Sequence, residues 1–304
     1  MGLCLALILL TPSADESATP PPAAGDARFV VAGYLPSYRV DSWTASPGPL
    51  TDVIYFSATP TAGGQLPDGW MSGAAGRLRT LRESGVRVSV CVGGWGRSDA
   101  FASLVSSPAA RRTLVDTLAA LPIDGVDFDW EHPSNADEWI GYERLIRETK
   151  ASDPSRLVTV AVAAFTEAPA SLFDAADRVH LMSYDHAYPH ATIEKTTADI
   201  DRTLAAGCPA AKLVVGVPFY GRAKNWTPTA FADLPPTPTD EDMTAEGIAF
   251  NNAETLRTKV RLAAERGLAG IMIWELGQDR ADERSLLNVI EESVAALSSG
   301  PAVQ

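Results

Sequence analysis

The chain has 304 residues but only three cysteines and four histidines. Cys4 falls in an apolar N-terminal run, Cys91 inside an apolar strand candidate and Cys208 just before another. The last two read as buried free thiols, not as a disulfide framework. His132, His180, His186 and His190 are not spaced as ligands, so neither a metal nor a cofactor is expected. Basic residues are outnumbered, 25 against 38, and the formal charge is −13. That balance argues against nucleic acid or an anionic membrane surface as a partner. The run Leu3 to Leu10 is far too short to span a membrane. A Gly-rich phosphate turn is missing as well, since Gly33-Tyr34-Leu35-Pro36 does not have its pattern.

What is present begins with an organised N-terminus. Leu3 to Leu10 followed by Thr11-Pro12-Ser13-Ala14 has the order of an export signal over residues 1–14. No Lys or Arg precedes the run, as in a signal whose start is truncated or misassigned. Cys4 does not end a lipid-attachment motif. The expected location is therefore secreted, cell-surface or periplasmic. Residues 15–27 are Pro- and Ala-rich, a linker composition. Residues 28–304 are expected to form one domain, and the protein a monomer.

Eight short apolar runs follow: Phe29 to Leu35, Asp52 to Ser57, Val86 to Val92, Gly125 to Asp129, Leu157 to Ala163, Val179 to Tyr184, Leu213 to Pro218 and Gly270 to Trp274. Helical periodicity lies between them, at Ala74 to Ser84, Pro108 to Leu121, Ala136 to Lys150, Thr192 to Ala206, Ala253 to Arg266 and Glu283 to Leu297. Gly207 and Gly267 stand where helices should stop. Eight strands separated by helices in one chain of this length predict an α/β fold, a (β/α)₈ TIM barrel. The competing open doubly wound sheet lacks its phosphate turn. The segment from Gly221 to Ala269 reads as a polar loop and one helix, too small for a sizeable α+β insertion.

The fourth run carries the chemistry: Asp124-Gly125-Val126-Asp127-Phe128-Asp129-Trp130-Glu131. At strand period Asp127, Asp129 and Glu131 share one face, while Val126, Phe128 and Trp130 share the other. Carboxylates at i and i+2 lie about 7 Å apart or less, so they cannot all ionise freely and at least one pKa must rise. A general acid is made this way. A calcium site and a structural proton-sharing cluster are the competing readings.

In a barrel the strand C-termini share one mouth. This sequence places there Tyr34, Phe56, Gly93-Gly94-Trp95, Glu131, Met182-Ser183-Tyr184-Asp185, Tyr220, Arg222 and Trp274. Aromatic faces suit the C–H faces of sugars, and acids with an Arg suit hydroxyl and amide groups. Glycoside cleavage normally takes two carboxylates across the bond, about 5 Å apart for retention. No nucleophile facing Glu131 is evident, which points to a substrate that brings its own, as a 2-acetamido group can.

These residues resemble the family 18 glycoside hydrolases, the chitinases and their relatives, through the D-x-x-D-x-D-x-E pattern of Asp124 to Glu131. Met182-Ser183-Tyr184-Asp185 is similar to that family's sixth-strand element, and Pro218-Phe219-Tyr220-Gly221-Arg222 to its seventh. The resemblance implies a retaining hydrolase of β-1,4-N-acetylglucosaminides acting through an oxazolinium ion. In it Glu131 would be the acid and base, Asp129 the holder of the acetamido N–H, and Tyr184 its partner from the other side. Asp127 would share a proton with Asp129. Asp185 and Arg222 would bind sugar hydroxyl or amide groups, and Tyr34, Trp95 and Trp274 would line subsites. The partner implied is a polysaccharide or oligosaccharide containing N-acetylglucosamine. Chitin or its oligomers is the first expectation, a glycan core or peptidoglycan the second, and a non-catalytic sugar-binding barrel the third.

Two departures carry expectations of their own. Cys91 stands where the family's third-strand motif has a serine that helps hold the inner aspartate. Asp127 is therefore expected to be less well held, and Cys91→Ser to shift the pH–rate profile. His132 follows Glu131 in place of the usual tyrosine and is expected to pack. The short Gly221 to Ala269 segment implies a shallow, open groove and endo cleavage.

Overall fold

The computed structural model describes residues 28–235 and 242–299. The expected export signal, with Cys4, and the linker lie outside the described residues. Eight parallel strands close into a barrel: β1 (Val30–Pro36), β2 (Asp52–Ala58), β3 (Arg87–Gly93), β4 (Gly125–Asp129), β5 (Leu157–Ala163), β6 (Arg178–Met182), β7 (Leu213–Pro218) and β10 (Gly270–Trp274). β1 pairs with both β2 and β10, which completes the ring. The predicted fold is the observed one. Between β7 and β10 a small antiparallel hairpin, β8 (Tyr220–Arg222) with β9 (Pro228–Ala230), was not foreseen. Its strands are three residues each, too short for period-2 alternation to register.

Outside the barrel run α1 (Ala75–Glu83), α2 (Phe101–Ser106), α3 (Pro108–Ala119), α4 (Ala136–Ser152), α5 (Ala170–Ala175), α6 (Ile193–Ala205), α7 (Ala253–Glu265) and α8 (Leu286–Ser299). Local chemistry starts and stops them. Ser107 accepts from the Ala110 amide with Pro108 in the first turn. Asn135 accepts from the Glu138 amide, and the Glu138 carboxylate accepts from the Ser134 amide at 2.6 Å. Gly207 and Gly267 take φ of 97° and 64° just after α6 and α7, as expected of C-terminal glycines. α8 begins later than predicted because Asp279 accepts from the Leu286 and Leu287 amides and Ser285 from that of Asn288. α2 and α5, six residues each, are too short for a periodic signal.

The alternation of β4 now has its physical cause. Val126, Phe128 and Trp130 are buried in the layer between strands and helices, where Trp130 meets Phe101 and Tyr142 at 5.4 Å each. Burying a ring such as Phe128 contributes about 2–3 kcal/mol. The other face looks into the barrel, whose apolar filling is a smaller cluster that includes Tyr34, Ile54, Phe56, Cys91 and Met272. At the opposite end Asp52 pairs with Arg87 at 2.7 Å and with Arg178 at 3.1 Å. The barrel floor is thus closed by charge pairs, which leaves the C-terminal mouth for chemistry. Cys91 and Cys208 are buried free thiols. Among the described residues no helix is long and apolar enough to cross a membrane.

Candidate active site

Glu131 stands two residues beyond the end of β4, and its side chain is 13% exposed at the barrel mouth. Its amide donates to Ser98 at 3.2 Å, and the Trp95 amide donates to its carboxyl. Burial, and next the charge of Asp185, push the Glu131 carboxyl up to about 7, with the Trp95 amide acting the other way. His132 lies with Nε2 3.7 Å from Glu131 Oε2 and packs edge-on against the exposed ring of Phe165 at 5.0 Å. The packing expected of His132 is therefore present, though beside the acid itself.

Asp127 lies wholly inside the barrel. It accepts from Tyr34 at 2.8 Å and Thr159 at 2.5 Å, and His180 Nδ1 is 3.2 Å away. Burial alone would raise its carboxyl, but His180, Thr159 and Tyr34 outweigh burial and hold it below its ordinary range. The expectation that Cys91 leaves Asp127 loosely held is thus corrected, because Tyr34 on β1, Thr159 on β5 and His180 on β6 converge on its carboxylate. Asp127 accepts from Tyr34 and Thr159 and lies against His180, while Asp129 Oδ1 has no hydrogen-bond partner. With both Asp127 oxygens served, Thr159→Val is expected to cost about 1–3 kcal/mol by leaving a buried carboxylate short of a donor. Cys91→Ser should cost less, and denaturant midpoints for the two variants compare them.

Asp129 faces the same interior one residue pair higher. Its Oδ1 is buried and has no hydrogen-bond partner. Burial, then Glu131, then Asp127 push its carboxyl well above the ordinary range. The backbone around it is tightly fitted: the Gly94 amide donates to the Asp129 carbonyl at 2.7 Å. A Cβ at Gly93, where φ is 104°, would fall 2.2 Å from that same oxygen. Only glycine fits there.

β6 ends at Met182, so Ser183, Tyr184 and Asp185 lie past the strand and not on it as predicted. Met182 packs half-buried on the barrel-interior cluster. The Tyr184 ring crosses Gly216 so closely that a Cβ there would sit 2.8 Å from it, and its hydroxyl reaches Met272 Sδ at 3.9 Å. Burial, then Tyr220, raise the Tyr184 hydroxyl well above its ordinary pKa, so it stays a donor. Asp185 has φ of 58°, a left-handed conformation that Asp tolerates. Arg222 grips it at 2.9 and 2.7 Å, Tyr220 donates at 2.8 Å and His190 Nδ1 lies 3.4 Å away. Burial would raise this carboxyl, but His190, Arg222 and Tyr220 overcome it and hold the group far below its ordinary range.

The aromatics divide into two roles. Trp95 is 77% exposed at the mouth. Trp274 is half-buried, with Phe56 4.7 Å and Tyr34 5.5 Å beneath it. Tyr34, Phe56 and Tyr220 are themselves buried, at 2%, 7% and 4% exposure. All three are expected to touch sugar; in the fold they also brace Asp127, Trp274 and Asp185. The reason is that the last inward positions of a small barrel still lie below its rim. Sequence reasoning missed Ser98, Thr159 and His180, and the exposed rings of Tyr38 and Phe165, 64% and 76% accessible. Thr159 pairs with Asp127 and His180 with Ala161, so inward parity across neighbouring strands carried a usable signal. Among the described residues no three His, Cys, Asp or Glu are grouped to hold a metal ion.

Comparison with known proteins agrees with this arrangement. The class V chitinase of Arabidopsis thaliana is 26% identical over 269 residues, spanning 65% of this chain and 71% of that protein. The crystal structure of the GH18 chitinase ChiB from the chitin utilization locus of Flavobacterium johnsoniae superposes with a TM-score of 0.77 at 26% identity, covering 89% of this chain and 95% of that one. A chitinase from Bacteroides thetaiotaomicron shares the fold with a TM-score of 0.80 at 22% identity, covering 90% and 99%. Residues 30–279, with the acidic β4 strand at their centre, match the family described as Glycosyl hydrolases family 18, and the chain belongs to that family.

Proposed function

We propose that the protein is a retaining hydrolase that cleaves β-1,4 bonds next to N-acetylglucosamine in chitin or its oligomers. The observation that carries this reading is the state of the acids. Glu131, raised to about 7, keeps its proton on a large share of molecules in neutral solution and is partly open to solvent. Asp185 is ionised but spent on Arg222 and Tyr220. Asp127 is sealed below. Asp129 has an unserved oxygen, but burial, Glu131 and Asp127 push its carboxyl well above the ordinary range and disfavour the ionised form a nucleophile needs; this supports a sugar that supplies the attacking oxygen itself.

The steps then follow. Glu131 gives its proton to the glycosidic oxygen as the C1–O bond breaks, and the acetamido carbonyl oxygen bonds to C1 from the opposite face. Asp129, with its unserved Oδ1, accepts the acetamido N–H, and the oxazolinium cation that forms beside it favours its ionised state. Tyr184 donates to the group from the other side. The Glu131 carboxylate next takes a proton from water, whose oxygen attacks C1 and opens the ring. Two inversions leave the configuration retained. The neutral polymer also suits a chain of charge −13, which would repel an anionic one.

The test is a chitooligosaccharide panel with anomer analysis of the first products by NMR. β-anomers released by the wild type and none by Glu131→Gln are expected. Binding without turnover in both proteins would overturn hydrolysis, and α-anomers would overturn retention.

A further inference from the structure

Trp226 takes no part in the steps above. It lies in the loop between β8 and β9, four residues past Arg222, and is 43% exposed. Its φ is 69°. For a bulky aromatic residue this left-handed backbone is an outlier that surrounding structure must hold in place. Among the described residues only two non-glycine residues have positive φ, Asp185 and Trp226. One guanidinium touches both: Arg222 is bidentate on Asp185, and its Nη1 donates to the Trp226 carbonyl at 2.8 Å. The same group lies 5.3 Å from the ring of Tyr220 and 5.5 Å from that of Trp226.

The rest of the loop is fastened as well. Ala223 donates to the Thr227 carbonyl at 3.1 Å and Trp226 to that of Ala223 at 2.9 Å. Lys224 caps the ring of Tyr188 at 5.8 Å. An indole left to itself would bury its faces. Here the backbone is tied so that the ring is presented to solvent, beside the arginine that fixes Asp185 at the mouth.

We propose that Trp226 is the platform of a further sugar subsite, lying past Asp185, that stacks on the C–H face of an N-acetylglucosamine unit in a longer chain. The proposal rests on the reading of the mouth as an N-acetylglucosamine site. Three observations select this occupant: the ring stands beside the Arg222 that grips Asp185 at the mouth, its face is flat and apolar, and the strongly acidic chain favours an uncharged polymer. The stack is ready-made, so little ordering is needed when the sugar arrives.

Calorimetric binding of chitohexaose and chitobiose to Glu131→Gln, with and without Trp226→Ala, tests the idea independently of turnover. Hexamer affinity is expected to weaken roughly tenfold, and by much more than dimer affinity. Trp226→Phe, which keeps an aromatic face, should recover most of the loss. In the otherwise wild-type protein the same length dependence should appear in kcat/KM. An equal loss for both sugars would mean that Trp226 only orients Arg222, and would overturn the subsite. An unchanged hexamer affinity, or no hexamer binding to Glu131→Gln at all, would overturn it too. A wild type that turns over neither sugar, while the hexamer still binds through Trp226, refutes hydrolysis and leaves the subsite standing.

Discussion

Replacing Glu131 with Gln is expected to lower kcat by about a thousandfold, the contribution of a well-placed general acid. The substitution keeps the side chain's size and its contact with the Trp95 amide but removes the proton and the later base. In the wild type, activity should fall as pH rises through about 7, where Glu131 loses its proton. Stability should move the other way in the variant. A carboxyl raised in the folded state binds its proton more tightly there than in the unfolded chain, so folding loses stability as pH climbs from about 4.5 to 7. At pH 8 that cost is about 3 kcal/mol, and Glu131→Gln should recover much of it while gaining little at pH 4.5. Steady-state kinetics on a chitooligosaccharide and denaturant melts at the two pH values read both effects. A variant that stays active, or one no more stable at pH 8 than the wild type, contradicts the assignment.

Asp129→Asn should cost about a hundredfold or more in kcat, with a small change in KM. Asparagine still offers an oxygen to the acetamido N–H, so binding of the ground state survives. What it lacks is a carboxyl able to ionise beside the oxazolinium cation, and that difference matters most in a buried setting. Asp129 has an unserved oxygen and lies above a fully engaged Asp127, so no neighbour can take over its role. A loss confined to KM would show that Asp129 merely holds substrate. Fold stability should not fall, because a raised, buried carboxyl is replaced by a neutral group.

Much of this was legible in the chain itself. The parity of Asp127, Asp129 and Glu131 against Val126, Phe128 and Trp130 requires a strand with one apolar and one acidic face, and only a barrel strand under helices satisfies both. Eight apolar runs between amphipathic stretches then fix the architecture, because period and burial are local properties of sequence. The acid, its inner neighbours and the Met182-to-Asp185 segment are legible for the same reason: each sits at the end of a predicted strand. The expected looseness of Asp127 failed because its donors, Tyr34, Thr159 and His180, come from strands 93, 32 and 53 positions away in sequence.

The tertiary structure alone decided which rings touch solvent and which lie buried and brace others. Tyr34, Phe56 and Tyr220 look like Trp95 in sequence, yet depth below the rim puts them beneath the groove. It also decided the charge states, since Glu131 and Asp185 start from similar pKa values and are driven apart by burial on one side and by Arg222 with Tyr220 on the other. Desolvation and hydrogen bonding depend on what surrounds a group in space. That surrounding is assembled from distant strands, and no window of sequence contains it.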